Sequence, residues 1–132
     1  MQYESKLDRE QLIDLATKSY FGNVDDKNLD AVLTCFHDEA LFTIQTDRTT
    51  HSGSGEIRCM FQDFFDDYEK IIHKNFVCTA DEENGRICAV FDVEVTDLEG
   101  NVTRMRNTNF WRVRGDKFQE VYVYMSGANV LK

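Results

Sequence analysis

The sequence predicts an α+β fold, because its apolar residues keep helical spacing in the first half and alternate in the second. Glycine and Asn/Asp clusters provide all the punctuation in a chain that contains no proline. The alternating stretches follow one another directly, as consecutive hairpins do. Helices first and hairpins afterwards give three N-terminal helices packed on an antiparallel sheet.

The first helix starts at Asp8, whose carboxylate caps it while Gln11 reaches back in a capping box. Leu12, Leu15, Ala16, Ser19 and Tyr20 form its inward stripe, and Gly22 and Asn23 end it. A short second helix is capped near Asp26 and carries Leu29, Val32, Leu33 and Phe36 on one face, with His37-Asp38 marking its end. Ala40 to Thr46 reads as a strand. His51-Ser52-Gly53-Ser54-Gly55 reads as a loop into a third helix capped by Ser54. That helix has Ile57, Phe61, Phe64, Phe65 and Tyr68 on its apolar side and Asp63, Asp66, Asp67 and Glu69 mostly on its wet side.

From Ile71 the period drops to two. Ile71 to Ala80, Arg86 to Asp97, Val102 to Arg114 and Lys117 to Met125 are four expected strands. Asp81-Glu82-Glu83-Asn84-Gly85, Glu99-Gly100-Asn101 and Gly115-Asp116 turn the chain between them. If Leu98 faces Val102, Glu94 lies opposite Arg106 and Thr96 opposite Arg104. Phe91, Val93 and Val95 then meet Asn109, Asn107 and Met105 on the other face, which turns both asparagines inward. Each such pair adds only about 0.2–1 kcal/mol, so its use is to tell the two faces apart.

A length of 132 residues suits one domain able to bury a core without staples. The net charge of −9 argues against nucleic acid and against anionic membrane surfaces, since both need a basic face. No apolar run approaches membrane-spanning length. Cys35, Cys59, Cys78 and Cys88 show neither a C-x-x-C pair nor a Cys/His cluster, so neither a metal site nor a cofactor is expected. Met1 leads into charged, helix-forming sequence rather than a signal peptide. The expected location is the cytoplasm, with four reduced thiols.

Asn28-Leu29-Asp30 through Phe36, Ala40-Leu41-Phe42, Ser52-Gly53 to Ile57-Arg58, and Phe110-Trp111-Arg112 before Gly115-Asp116-Lys117 together resemble the nuclear transport factor 2-like superfamily. This superfamily includes ketosteroid isomerase and the SnoaL-like polyketide cyclases. The resemblance covers nearly the whole chain and implies a cystatin-like cone on a curved, mixed but mostly antiparallel sheet. The stretch Tyr122-Val123-Tyr124-Met125-Ser126-Gly127 is similar to the association domain of calcium/calmodulin-dependent kinase. The fold hosts many functions, so function must come from the site.

Ketosteroid isomerase needs a helix-one tyrosine, an aspartate base and a protonated aspartate in an oxyanion hole. The resemblance puts these at Tyr20, Ile44 and Asn109. Isoleucine takes no proton and an amide does not titrate, which disfavours isomerase chemistry and leaves catalysis undecided. Tyr20, His51 and Asp47 are the candidate catalytic groups. A solvated loop residue is the plainer reading of His51 and Asp47, and His73 reads as a satisfied sheet residue.

Asn107 and Asn109 are the main hint of a site, because an unpaired buried amide costs about 1–3 kcal/mol. Tyr20, Ile44, Phe64, Tyr68, Asn107, Asn109 and Trp111 are therefore the expected contacts for a small apolar molecule carrying a carbonyl or hydroxyl group. The same aromatic residues could equally be core. Tyr122, Tyr124, Arg104 and Arg106 on the outer sheet face imply a homodimer. The alternatives are an oligomerisation module and the small subunit of a ring-hydroxylating dioxygenase.

Overall fold

The computed structural model describes residues 3–132. Three helical bodies pack against a six-stranded mixed sheet in an α+β cone. The first body begins at the predicted capping box: the Gln11 N–H donates to Asp8 Oδ1 at 2.8 Å and the Asp8 N–H to Gln11 Oε1 at 3.0 Å. It runs as α1 (Arg9–Asp14), a π-helical stretch (Leu15–Tyr20) and α2 (Phe21–Asp25).

The π-helical stretch corrects the expected stripe. Its wider turn advances the chain relative to a 3.6-residue period. Ser19 is accordingly exposed and Leu15 half-buried, while Leu12, Ala16, Tyr20, Phe21 and Val24 are buried. The helix also continues through Gly22 and Asn23, because burial of Val24 rewards one more turn, and the chain breaks at Lys27 with φ of 55°. Lys27 donates from Nζ to the carbonyls of Phe65 and Tyr68, fastening this corner to the third helical body.

α3 (Leu29–Thr34) is capped by Asn28 rather than near Asp26, with Asn28 Oδ1 accepting the Ala31 N–H at 3.3 Å. Phe36 and His37-Asp38 lie not in that helix or at its end but in β1 (Phe36–Ile44). There the His37 ring meets the Arg114 carbonyl through Nε2 at 2.6 Å. The expected loop at His51 is largely an edge strand, β2 (Thr49–Ser52), paired with β1. α4 (Gly53–Asp67) follows at once, with Ser52 rather than Ser54 at its cap position; Ile57, Met60, Phe61, Phe64 and Phe65 are its buried side.

The remaining strands are β3 (Tyr68–Asp81), β4 (Arg86–Asp97), β5 (Val102–Arg114) and β6 (Lys117–Tyr124). The order across the sheet is β2-β1-β6-β5-β4-β3, with β1 and β6 parallel and every other neighbour antiparallel.

The β4–β5 register differs from expectation by two residues. Glu94 faces Arg104, Asp92 faces Arg106 and Thr96 faces Val102, while Phe91 meets Asn107 and Ala89 meets Asn109. The cause is Asp97, whose Oδ1 accepts the N–H groups of both Glu99 and Asn101 at 2.9 Å and so starts the turn earlier. A shift of two keeps every side chain on its own face. Asn107 and Asn109 therefore still point inward, with 4% and 2% of their surfaces exposed.

Candidate functional site

The interior divides into a dry end and a polar end. At the dry end Tyr20 is ringed by Phe21, Phe36, Phe61, Trp111 and Phe118, with centroids 4.7–6.1 Å away. Trp111 stacks on Phe118 at 5.7 Å and is fully buried, with its indole N–H unpaired. At the polar end Tyr20, Phe21, Phe61, Phe64, Phe91, His73, Asn107 and Asn109 border a cavity of about 30 Å³. That is room for one or two waters, well short of the roughly 300–1,000 Å³ of a drug-sized site.

Four expected contacts thus share one hollow: Tyr20, Phe64, Asn107 and Asn109. Three others lie elsewhere. Trp111 is behind the wall in the aromatic layer, and Ile44 is buried in β1 beside Thr49 and Val123. Tyr68 packs on Phe64 at 5.3 Å and borders a surface depression with Asp67, Asp97, Leu98 and Glu99. Asp47 is on the exposed turn between β1 and β2. His51 borders a separate open groove with Glu56, Cys59 and Asp63, and burial pushes its pKa down.

The two amides have different partners. Asn107 Oδ1 accepts the Ser126 N–H at 3.1 Å. Asn109 Oδ1 is buried with no partner at all. An acceptor enclosed without a donor costs about 1–3 kcal/mol, so the position is expensive unless something donates to it. Tyr20 can supply a donor to the same hollow, since burial drives its pKa well up and keeps the phenol protonated.

His73, read from the sequence as a satisfied sheet residue, does sit in β3, and the partner that satisfies it, which the sequence did not identify, is Asp25. His73 Nδ1 is 2.5 Å from Asp25 Oδ1, and Asp25 Oδ2 accepts the His73 backbone N–H at 2.8 Å. The imidazole stacks on Phe21 at 4.3 Å, and its side chain is only 9% exposed. With Nδ1–H donated to the carboxylate, Nε2 becomes the basic atom, the usual arrangement of a histidine that accepts a proton. The available signal was parity. His73 is two residues after the inward Ile71, and so shares its face of the strand.

Among the described residues no three His, Cys, Asp or Glu side chains gather as a metal site would require. All four cysteines are free thiols. Among the described residues no helix is long and apolar enough to cross a membrane.

Residues 17–121 match the SnoaL-like domain family. A crystal structure from Novosphingobium aromaticivorans, provisionally named an aromatic ring hydroxylase, is 25% identical with a TM-score of 0.78 over 92% of this chain and 90% of its own. A provisionally named polyketide cyclase from Xanthomonas campestris pv. campestris is 19% identical, with a TM-score of 0.78 over 88% of this chain and 90% of its own. A ketosteroid isomerase-like fold from Catenulispora acidiphila, crystallised with trimethylamine, is 13% identical with a TM-score of 0.77 over 95% and 92%. None of the curated proteins matches the sequence.

Proposed function

This chain belongs to the SnoaL-like domain family, and we propose that it binds a small, largely apolar molecule bearing a hydroxyl or carbonyl group and moves a proton on it. The observation that carries the reading is Asn109 Oδ1, a buried acceptor without a donor on the wall that His73 shares. A ligand hydroxyl would donate to Asn109, and the Tyr20 phenol would donate to a carbonyl or enol oxygen. His73, oriented by Asp25, would take or return the proton. Isomerase, cyclase and lyase reactions can each begin with this transfer beside a polarised oxygen. The base missing at Ile44 is thus supplied from β3, and from a different direction.

The cavity as it stands holds only the polar end of such a molecule. Calorimetric titration with 2-naphthol and cyclohexanol should show binding that Asn109→Leu and Tyr20→Phe each weaken by about tenfold, the worth of one hydrogen bond of about 1–1.5 kcal/mol. His73→Gln should leave binding in place and abolish exchange of an activated ligand C–H with solvent. Undiminished binding by both of the first two variants would sink the site.

The homodimer remains a proposal, through the face that carries Arg104, Arg106, Tyr122 and the half-exposed Tyr124. A second reading, a subunit serving a separate hydroxylating component, is favoured by the name of the Novosphingobium neighbour.

A further inference from the structure

We propose that the segment Ser126–Leu131 is a displaceable plug, which holds the place of the ligand's apolar body and regulates entry to the cavity. The proposal rests on the cavity being the ligand site. The segment follows β6 without helix or strand, and Val130 and Leu131 both border the hollow, Leu131 being buried. Those two branched aliphatic side chains are this segment's share of the lining, which they complete together with Phe64, His73 and Asn109. An apolar ring entering on their side must take their place.

The attachment is local and reversible in kind. Ser126 is the latch: its N–H donates to Asn107 Oδ1 at 3.1 Å, and its Oγ accepts the Arg106 N–H at 3.0 Å. Farther on, Asn129 Oδ1 accepts the Leu131 N–H at 2.8 Å, so the segment shapes its own bend. Gly127 passes over Met105, where an added Cβ would come within 3.3 Å of its side chain. The segment's polar anchors are thus Ser126 and a self-made turn, and its other hold is the packing of Val130 and Leu131, which an apolar ligand can replace.

Release would change two properties of the cavity together. Withdrawal of Val130 and Leu131 opens volume next to Phe64, and departure of the Ser126 N–H frees Asn107 Oδ1. The opened site would then present two amide acceptors, Asn107 and Asn109, beneath an apolar wall. The chemistry this fits is a ring-sized apolar compound carrying one or two hydroxyl groups. In the closed state the plug supplies both the apolar filling and the donor to Asn107, and is a competitor of that compound.

The test is 2-naphthol binding by calorimetry together with amide hydrogen exchange. Ser126→Ala removes only the half of the latch made by Oγ, and Ser126 does not itself border the hollow, so any gain in affinity cannot come from added space. Both Ser126→Ala and the double variant Val130→Ala, Leu131→Ala should bind 2-naphthol more tightly than the parent, the latter by about tenfold, because the competent fraction rises. In the unmodified protein, saturating 2-naphthol should speed exchange at the Ser126 and Leu131 amides.

Slower exchange at those amides overturns the plug, whatever the variants do. So does affinity that is unchanged or lower in both variants. Adding Asn109→Leu to the double variant separates the two ideas: lost binding supports the site, and retained tight binding removes Asn109 as its polar contact while the plug over the cavity stands. Absence of measurable heat in every protein overturns both.

Discussion

The two ends of the cone are built from the same kind of aromatic residue and behave in opposite ways. Around Trp111, Phe118, Phe36 and Phe42 the rings pack in stacked, tilted and edge-to-face pairs and close the interior completely. Around Asn109, His73 and Phe64 a hollow survives. Ring count does not set the difference, since both ends are rich in phenylalanine. The hollow lies where two amides and an imidazole share one wall, whereas the dry end encloses a single unpaired indole N–H. An amide in the wall prevents an apolar side chain from closing over it at no cost, and the space persists. The contrast extends to the outer face of the sheet. Behind the dry end, Glu120 is nearly buried and accepts from Tyr3, Tyr122 and Arg112; behind the polar end, Arg104 and Glu94 meet in the open.

The most severe way to break the contrast is to hollow out the dry end. Trp111→Ala should cost about 3–5 kcal/mol in a denaturant melt, because a fully buried indole leaves a cavity that stacked rings cannot fill. A loss under about 1 kcal/mol would mean that this end is as loosely packed as the other. The opposite manipulation fills the polar end. Asn109→Leu should stabilise the fold by about 1–3 kcal/mol, since it removes an enclosed acceptor that has no donor, while it weakens 2-naphthol binding. Destabilisation with binding intact would make Asn109 an ordinary structural residue.

Most of the fold was readable from the chain alone, for a definite reason. Period-two alternation fixes which face a side chain takes, and faces survive even a register error: the two-residue slip caused by Asp97 left Asn107 and Asn109 inward. What was lost depended on local backbone irregularity. The π-helical stretch rotated Phe21 into the core and Ser19 out of it, and no residue type announces such a turn. The site divided along the same line. Tyr20, Phe64, Asn107 and Asn109 follow from parity and helical spacing, whereas Asp25 and His73 meet across 48 residues of sequence. That pairing depends on how far the first helix runs past Gly22.

The outer face offers a gentler probe of the same contrast through pH. Burial pushes the pKa of Glu120 up, but hydrogen bonds from Tyr122 and Tyr3 and the charge of Arg112 more than offset it, leaving the group below its ordinary 4.5. The same bond drives the Tyr122 phenol up to about 12. A carboxyl whose pKa is lower when folded adds stability that is complete above its unfolded value and disappears as pH falls through the folded one. Denaturant midpoints should therefore hold steady above pH 4.5 and drop below it, and Glu120→Gln should flatten that drop. An acid limb equally steep in the variant would assign the loss to other carboxylates.

Least of all should follow from cutting the pair behind the polar end. Arg104 Nε lies 3.3 Å from Glu94 Oε2, and the arginine side chain is 71% exposed. Water competes for both partners and salt screens what remains, so Arg104→Ala should change stability by no more than about 0.2–1 kcal/mol. Its informative readout is association. If this face joins two copies, Arg104→Ala with Tyr124→Ala should lower the mass seen by light scattering while the melt hardly moves. A fall in stability of several kcal/mol with mass unchanged would place the pair inside the fold's own packing, erasing the distinction between a closed outer cluster at Glu120 and an open one at Glu94.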